Sequence, residues 1–294
     1  MSSHKAGFVS IIGKPNVGKS TLLNALMGYK LVITNPKAQT TRHRILGIVN
    51  GEDYQIVFSD TPGILKPAYK LQKAMMKFVD GSIEDGDVVV LLIEAGQKEI
   101  GEEVTERLKK TTSPILLVIN KIDLLSQENL FELISFWHEK EISKYIVPIS
   151  ALNSFSINEL KDLIVSLLPI GEAYYDKTQL TDKPERFFAS EIIREKMLTR
   201  YKKEIPYSCE VIVHTFKEEE KIIRISVDIL VERESQKGIV IGPKGSALKN
   251  VGIAARKDLE NFFDKQVFLE MFVKVREKWR DDDKKLKELG YDLT

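Results

Sequence analysis

Residues 7–20, "GFVSIIGKPNVGKS", decide the fold. An apolar run ends at Gly13, and from Ser20 onward the pattern "STLLNALMG" is helical. Between them stands Gly13-x-x-x-x-Gly18-Lys19-Ser20, which in a strand–loop–helix context reads as a phosphate-binding loop. Its backbone N–H groups and the helix N-terminus form a concavity suited to the α- and β-phosphates of a nucleotide. The candidate phosphate contacts are Gly13, Lys14, Pro15, Asn16, Val17, Gly18, Lys19, Ser20 and Thr21. Lys19 is expected to reach the β- and γ-phosphate oxygens. Ser20 offers its hydroxyl to Mg²⁺, a cation that takes hard oxygen ligands. The plain alternative is a glycine-rich turn that binds nothing, and the flanking strand and helix argue against it. The loop alone selects neither the base nor the reaction.

Outward from the loop, short β-branched runs alternate with helical patterns, the sign of a largely parallel sheet. The runs are 7–12, 54–60, 87–95, 113–121 and 144–150, most of them apolar throughout, as strands covered on both faces are. The stretch "HRILGIVNGEDYQIVF" reads as a hairpin turning at Asn50-Gly51, which adds one antiparallel edge strand. Helices are expected after Ser20, near 98–110 and 126–141, and over "INELKDLIVSLLP". Residues 1–170 thus form an α/β P-loop domain with helices on both faces of the sheet. Residues 171–185 ("GEAYYDKTQLTDKPE") are polar and aperiodic and read as a linker. Residues 186–294 change order: helix, two strands, a short helix, the turn "GPKG", a long amphipathic helix, a strand and a charged final helix.

Composition excludes little else. The 294 residues carry 44 basic and 43 acidic side chains, so the chain as a whole is not steered toward nucleic acid or membrane. A single cysteine, Cys209, rules out an internal disulfide and fits a reducing compartment. The N-terminus lacks an apolar segment of signal-peptide length, and charges interrupt every apolar run. The cytoplasm is the default expectation.

Two further loops speak about the base. "NKID" (120–123) closes the strand "PILLVI". A carboxylate at Asp123 can accept from both the ring N–H and the exocyclic amine of guanine, a donor pair that adenine does not present. Asn120 can bond the base and tether the phosphate loop, while the Lys121 stem covers the ring face. Ser150, Ala151 and Leu152 end the next strand, where backbone N–H groups can meet guanine O6. Asn and Asp often do no more than cap helices. Here both loops follow successive strands at the sheet edge where open α/β sheets bind ligands.

The set "GKPNVGKS", "QTTRH" (39–43), "DTPG" (60–63), "NKID" and "SAL" resembles the GTPase superfamily, in family order. That resemblance implies two switch segments, Gln39, Thr40, Thr41, Arg42 and His43, then Asp60, Thr61, Pro62, Gly63 and Ile64. Thr41 is taken as the residue completing the Mg²⁺ shell, with Thr40 its rival. Asp60 is expected to hold Mg²⁺ through water, and the Gly63 N–H to contact the γ-phosphate. Ras-like GTPases carry a water-orienting Gln where this chain has Ile64. In a subset of the superfamily an Asn at the Asn16 position resembles a ligand for K⁺, which places positive charge where the transition state rewards it. The competing reading is that Asn16 merely tolerates the left-handed backbone of a tight loop.

In the C-terminal part, Ile241-Gly242-Pro243-Lys244-Gly245 fits the G-x-x-G loop of KH domains, whose glycines let the backbone approach a sugar-phosphate chain. Ile239, Val240 and Ile241 are expected to line the groove, with Lys237, Lys244, Lys249, Arg256 and Lys257 as a basic stripe. With 23 basic and 20 acidic residues over 186–294, short single-stranded RNA is favoured over bulk duplex. The element order matches the prokaryotic, α+β type of KH domain. A GTPase domain followed by a KH domain resembles the bacterial Era family, GTPases of small-ribosomal-subunit assembly. The resemblance covers essentially the whole chain. It implies GTP and GDP as ligands, Mg²⁺ and K⁺ as ions, and a monomer that binds the 3′ region of 16S rRNA in the 30S subunit. It also implies loose contact with the inner membrane. The alternative is a membrane or transport GTPase whose second domain binds protein. A metabolic P-loop kinase fails for want of a second substrate site and because of "NKID".

Overall fold

The computed structural model describes residues 4–291. Two compact units emerge: residues up to 68 with 72–182, and residues 69–71 with those from 183 onward. In the first, β1 (Lys5–Ile12), α1 (Lys19–Met27), β2 (Ile45–Asn50), β3 (Tyr54–Asp60), α2 (Lys70–Asp85) and β4 (Val88–Glu94) are followed by α3 (Glu102–Leu108), β5 (Ile115–Asn120), α4 (Gln127–Glu139), β6 (Tyr145–Pro148) and α5 (Ile157–Leu167). The sheet order is β2-β3-β1-β4-β5-β6, and every pair is parallel except β2 with β3. The hairpin turns after Asn50, where the Gly51 N–H donates to Tyr54 O at 2.8 Å. All of β4 except its last residue is buried, as is β5 beyond Ile115, because helices cover both faces. The carboxyl ends of β1, β3, β5 and β6 open toward one edge and carry the phosphate loop, "DTPG", "NKID" and "SAL" in turn.

The stretch 171–182, expected to be a linker, is pinned along β2. Leu180 O accepts from the Ile48 N–H at 2.9 Å, Thr181 bridges Gly47, and the Asp182 carboxylate accepts from the Leu46 N–H at 2.9 Å. Gln55 fixes the start of this strap: its Oε1 accepts from the Tyr174 and Tyr175 N–H groups, and its Nε2 donates to Tyr175 O. Such a strap leaves no periodic signature, since most of its bonds involve main-chain atoms.

The second unit comprises α6 (Glu185–Arg200), α7 (Ile205–Ser208), β7 (Glu210–Glu218), β8 (Ile222–Val231), α8 (Glu234–Ile241), α9 (Ser246–Phe263), β9 (Gln266–Val275) and α10 (Asp283–Glu288). Its sheet order is β7-β8-β9, antiparallel then parallel, with one face packed into an apolar core. Helix α6 ends at Arg200. Tyr201 turns extended and inserts into the core, where its hydroxyl donates to Val240 O at 2.7 Å. The charged C-terminal stretch is also more than a solvated helix. Trp279 is fully buried and donates to Ser208 O at 3.0 Å, and Leu286 is buried behind it. No helix among the described residues is long and apolar enough to cross a membrane.

Candidate nucleotide and RNA sites

Around the phosphate loop a cavity of about 620 Å³ opens, within the usual size of a ligand site. Gly18 stands where the loop passes under β5. With φ at +104° and an added Cβ only 2.2 Å from Asn120 Nδ2, no larger residue fits there. Asn120 ties the site together: its Nδ2 donates to Val17 O at 2.8 Å, and its Oδ1 accepts from the Ala151 N–H at 3.0 Å. One amide therefore links the phosphate loop, the "NKID" loop and the "SAL" loop. Ser150 donates to Asp123 Oδ1 at 2.6 Å, which aims an otherwise exposed carboxylate. The Lys121 ammonium donates to Asn16 O at 2.8 Å and pairs with Glu94 at 2.6 Å.

Three oxygen groups converge below the cavity. Asp60 Oδ2 accepts from the Ser20 hydroxyl at 2.9 Å and the Thr41 hydroxyl at 3.1 Å, and those hydroxyls are 2.9 Å apart. Asp60 Oδ1 is buried without a partner among the described residues, an arrangement that costs free energy unless a cation takes it. Burial raises the Asp60 pKa, opposed first by the Lys19 charge and then by the hydrogen bonds from the Ser20 and Thr41 hydroxyls. Lys19 is buried too, its ammonium donating to Gly13 O and Lys14 O. Desolvation brings its pKa down to about 8 against the pull of Asp60. This hard oxygen set, with one orphaned carboxylate oxygen, fits Mg²⁺. The two neighbouring threonines differ in their partners. The Thr40 hydroxyl donates to Asn35 O and Lys37 O and so belongs to the preceding turn.

Other candidates fall less directly on the cavity. The Lys14 side chain points away, donating to Glu99 O at 3.2 Å, so only its backbone can serve a phosphate. Thr61 is fully buried and donates to Ile11 O at 2.8 Å. Arg42 is buried, and the His43 ring packs 5.8 Å from that of Phe78. Ile64 is buried and its N–H donates to Gly13 O at 3.0 Å. Asn16 takes the left-handed backbone (φ 67°), as the tight-loop reading expects, yet its exposed side chain lines the cavity. Thr34, Asn35, Pro36 and Lys37 also line the cavity, together with Gln39. The expected first switch begins at Gln39 and leaves these four out, although only Ala38 separates them from it.

In the second unit, Gly242 ends α8 and Gly245 caps α9, with Lys244 left-handed between them (φ 49°). A Cβ on Gly242 would meet that of Ala247 at 2.6 Å. The turn thrusts Pro243 and Lys244 into solvent. Ile239 and Ile253, 53% and 58% exposed, flank it, but Val240 is fully buried in the core. Val240 is thus a packing residue, which leaves Ile239 and Ile253 as the exposed apolar side chains beside the turn. Lys249, Arg256 and Lys257 are exposed and share the face of α9 that carries Ile253.

The comparisons follow this geometry. A family described as "50S ribosome-binding GTPase" matches residues 8–121, and the KH domain family matches residues 204–280. GTPase Era of Geobacter metallireducens is 47% identical over 291 residues, covering 98% of both chains. GTPase Era of Thermoanaerobacter sp. is 46% identical over 293 residues, covering 98% of this chain and 97% of the relative. The chain belongs to the GTPase Era family. Among solved structures, Era in complex with MgGDPNP and nucleotides 1506–1542 of 16S ribosomal RNA superposes with a TM-score of 0.93 at 39% identity, covering 99% of this chain and 100% of that one. A variant of Aquifex aeolicus Era bound to GDP·AlF₄⁻ gives the same score and identity, covering 98% and 100%. As an Era-family GTPase, the chain carries the α/β nucleotide-binding unit and the KH unit that its sequence announces.

Proposed function

We propose that this chain binds GTP with Mg²⁺, hydrolyses it slowly, and uses the KH loop to hold the 3′ region of 16S rRNA on the 30S subunit as a switch in its assembly. The single observation that carries the nucleotide half is the Asn120 amide, bonded at once to the phosphate loop and to the loop that faces the base. Loop 13–20 receives the phosphates on its N–H groups, and Lys19 exchanges two carbonyl partners for phosphate oxygens. Ser20 and Thr41 are the hydroxyl ligands of Mg²⁺, with Asp60 behind them. When bound, Mg²⁺ neutralises charge that develops on the β- and γ-oxygens. Ile64 offers no polar group to water, and its N–H is already engaged, which accounts for a slow intrinsic rate. The RNA half is supported by the exposed GPKG turn and by the 16S rRNA fragment held by the related Era.

Calorimetric titration tests the nucleotide reading: GTP is expected to bind the full chain and ATP not to bind measurably. Comparable heats for both would overturn it. The threonine assignment has its own test. Thr41→Ala is expected to weaken Mg²⁺-dependent GTP hydrolysis about 10-fold or more, in keeping with loss of one hard ligand. Thr40→Ala is expected to stay within about 2-fold. A larger effect at Thr40 would transfer the role.

The chain's Asn16 supports K⁺ as a second ion. Its side chain lines the cavity beside the phosphate loop. An arginine supplied in trans is worth ~10³–10⁵ in rate. A monovalent ion is less focused, so a K⁺ over Na⁺ preference on the order of 10-fold is expected. In Asn16→Ala the two salts should give equal turnover. Equal turnover already in the unmodified chain would remove K⁺ from the mechanism.

A further inference from the structure

A second hollow of about 530 Å³ lies between α3, α4 and the start of β5, sharing no lining residue with the nucleotide cavity. Its walls are Ile100, Leu108, Ile115, Trp137 and Ile142, a mainly apolar surface. Lys98 and Lys140 also border it, and their ammonium groups lie 5.6 and 5.2 Å from the centre of the ring of Phe136, the residue before Trp137 on α4. Neither has an ion-pair partner among the described residues. A third lysine, Lys109, is engaged by Glu106 at 2.7 Å, and Glu99 is the one acidic residue in the lining. Two cations drawn to one ring repel each other, and an anion between them relieves that repulsion.

We infer that this hollow binds a small amphipathic carboxylate, with its aliphatic body against the apolar walls and its head between Lys98 and Lys140. The volume suits a small molecule. The site is wired to the phosphate loop through residues 94–101. The Trp137 indole N–H donates to Gln97 O at 3.0 Å, and Gln97 Nε2 donates to Glu99 O at 2.7 Å. That same Glu99 carbonyl holds Lys14 of the phosphate loop. At the other end of the segment, Glu94 holds Lys121, which holds Asn16 O. An occupant that fixes this segment therefore changes nucleotide affinity, a consequence that rests on the GTPase reading above.

The test uses the full chain with decanoate as probe and decanol and decyl phosphate as comparisons. Tryptophan fluorescence, to which Trp137 in the wall contributes, reports occupancy. Decanoate is expected to bind saturably and at least 10-fold more tightly than decanol. Lys98→Gln with Lys140→Gln, both exposed positions, should abolish that advantage while leaving decanol binding unchanged. Equal binding of decanoate and decanol, or no change in the double variant, overturns the site. Tighter binding of decyl phosphate overturns the carboxylate assignment. Saturating decanoate is expected to shift GDP affinity about 5-fold, the low end of ordinary coupling between sites. An unshifted GDP affinity overturns the coupling. A chain that binds decanoate but no GDP at all would count against the GTPase reading and not against the hollow.

Discussion

Asp123→Asn is expected to lower GTP affinity by about 10²–10⁴-fold. The carboxylate can accept from guanine N1–H and from the 2-amino group together, and hydrogen bonds to a charged partner contribute about 1.5–3 kcal/mol each. Asparagine keeps one acceptor and turns a donor toward a donor. Ser150 already bonds Asp123 Oδ1 at 2.6 Å and would orient the amide in the same plane, so the substitution alters chemistry more than shape. The corresponding gain should appear with xanthosine triphosphate, whose 2-oxo group accepts where guanine donates. A site that rejects a ligand by leaving polar groups unmatched discriminates strongly. Paired titrations with the two nucleotides provide the measurement. If GTP affinity stayed within about 10-fold of the parent chain, Asp123 would not be the base reader.

The second large effect is expected in the KH loop. Gly245→Asp combined with Lys244→Glu should weaken binding of a single-stranded 16S 3′ oligonucleotide by about 10² or more and leave GTP hydrolysis unchanged. Lys244 is exposed at the turn, and nothing lies within 4 Å of a Cβ added at Gly245, so two carboxylates can enter without disturbing the core. Like charge set against a phosphate chain costs several kcal/mol. The φ of Gly245, +75°, strains aspartate only modestly, because Asp tolerates the left-handed region. Gly242 is the poorer target. An added Cβ there collides with Ala247, so lost RNA binding at that position could reflect a displaced helix α9. Filter binding at two salt concentrations separates loss of a phosphate contact from loss of fold. Unaltered RNA affinity would exclude this turn from the interface.

Much of this was legible before any coordinates because the decisive signals are local. Gly13 to Ser20, Asn120 to Asp123 and Ser150 to Leu152 each follow an apolar strand, and parallel strands deliver their following loops to one edge. The Asn50-Gly51 turn announced the antiparallel edge strand in the same way. What escaped notice depends on contacts far apart in the chain. Thr34–Lys37 line the cavity only because the switch folds back over it. Trp279 sits in a run of charges, and its burial depends on Ser208, 71 residues earlier. Val240 is indistinguishable from its exposed neighbour Ile239 until helix α8 has a direction. Thr40 and Thr41 look alike in sequence, because both precede the same strand, and only the folded chain sets the Thr41 hydroxyl 3.1 Å from Asp60 Oδ2.

The strap beside β2 bears on where the nucleotide-binding half can be cut. A chain shortened to residue 170, the domain end expected from composition, would leave a bare row of N–H and C=O groups along β2 and expose Phe8, against whose ring Tyr174 packs at 4.9 Å. Unclothed sheet margins recruit other strands. Such a fragment should self-associate, whereas one running through Asp182 should stay monodisperse in light scattering.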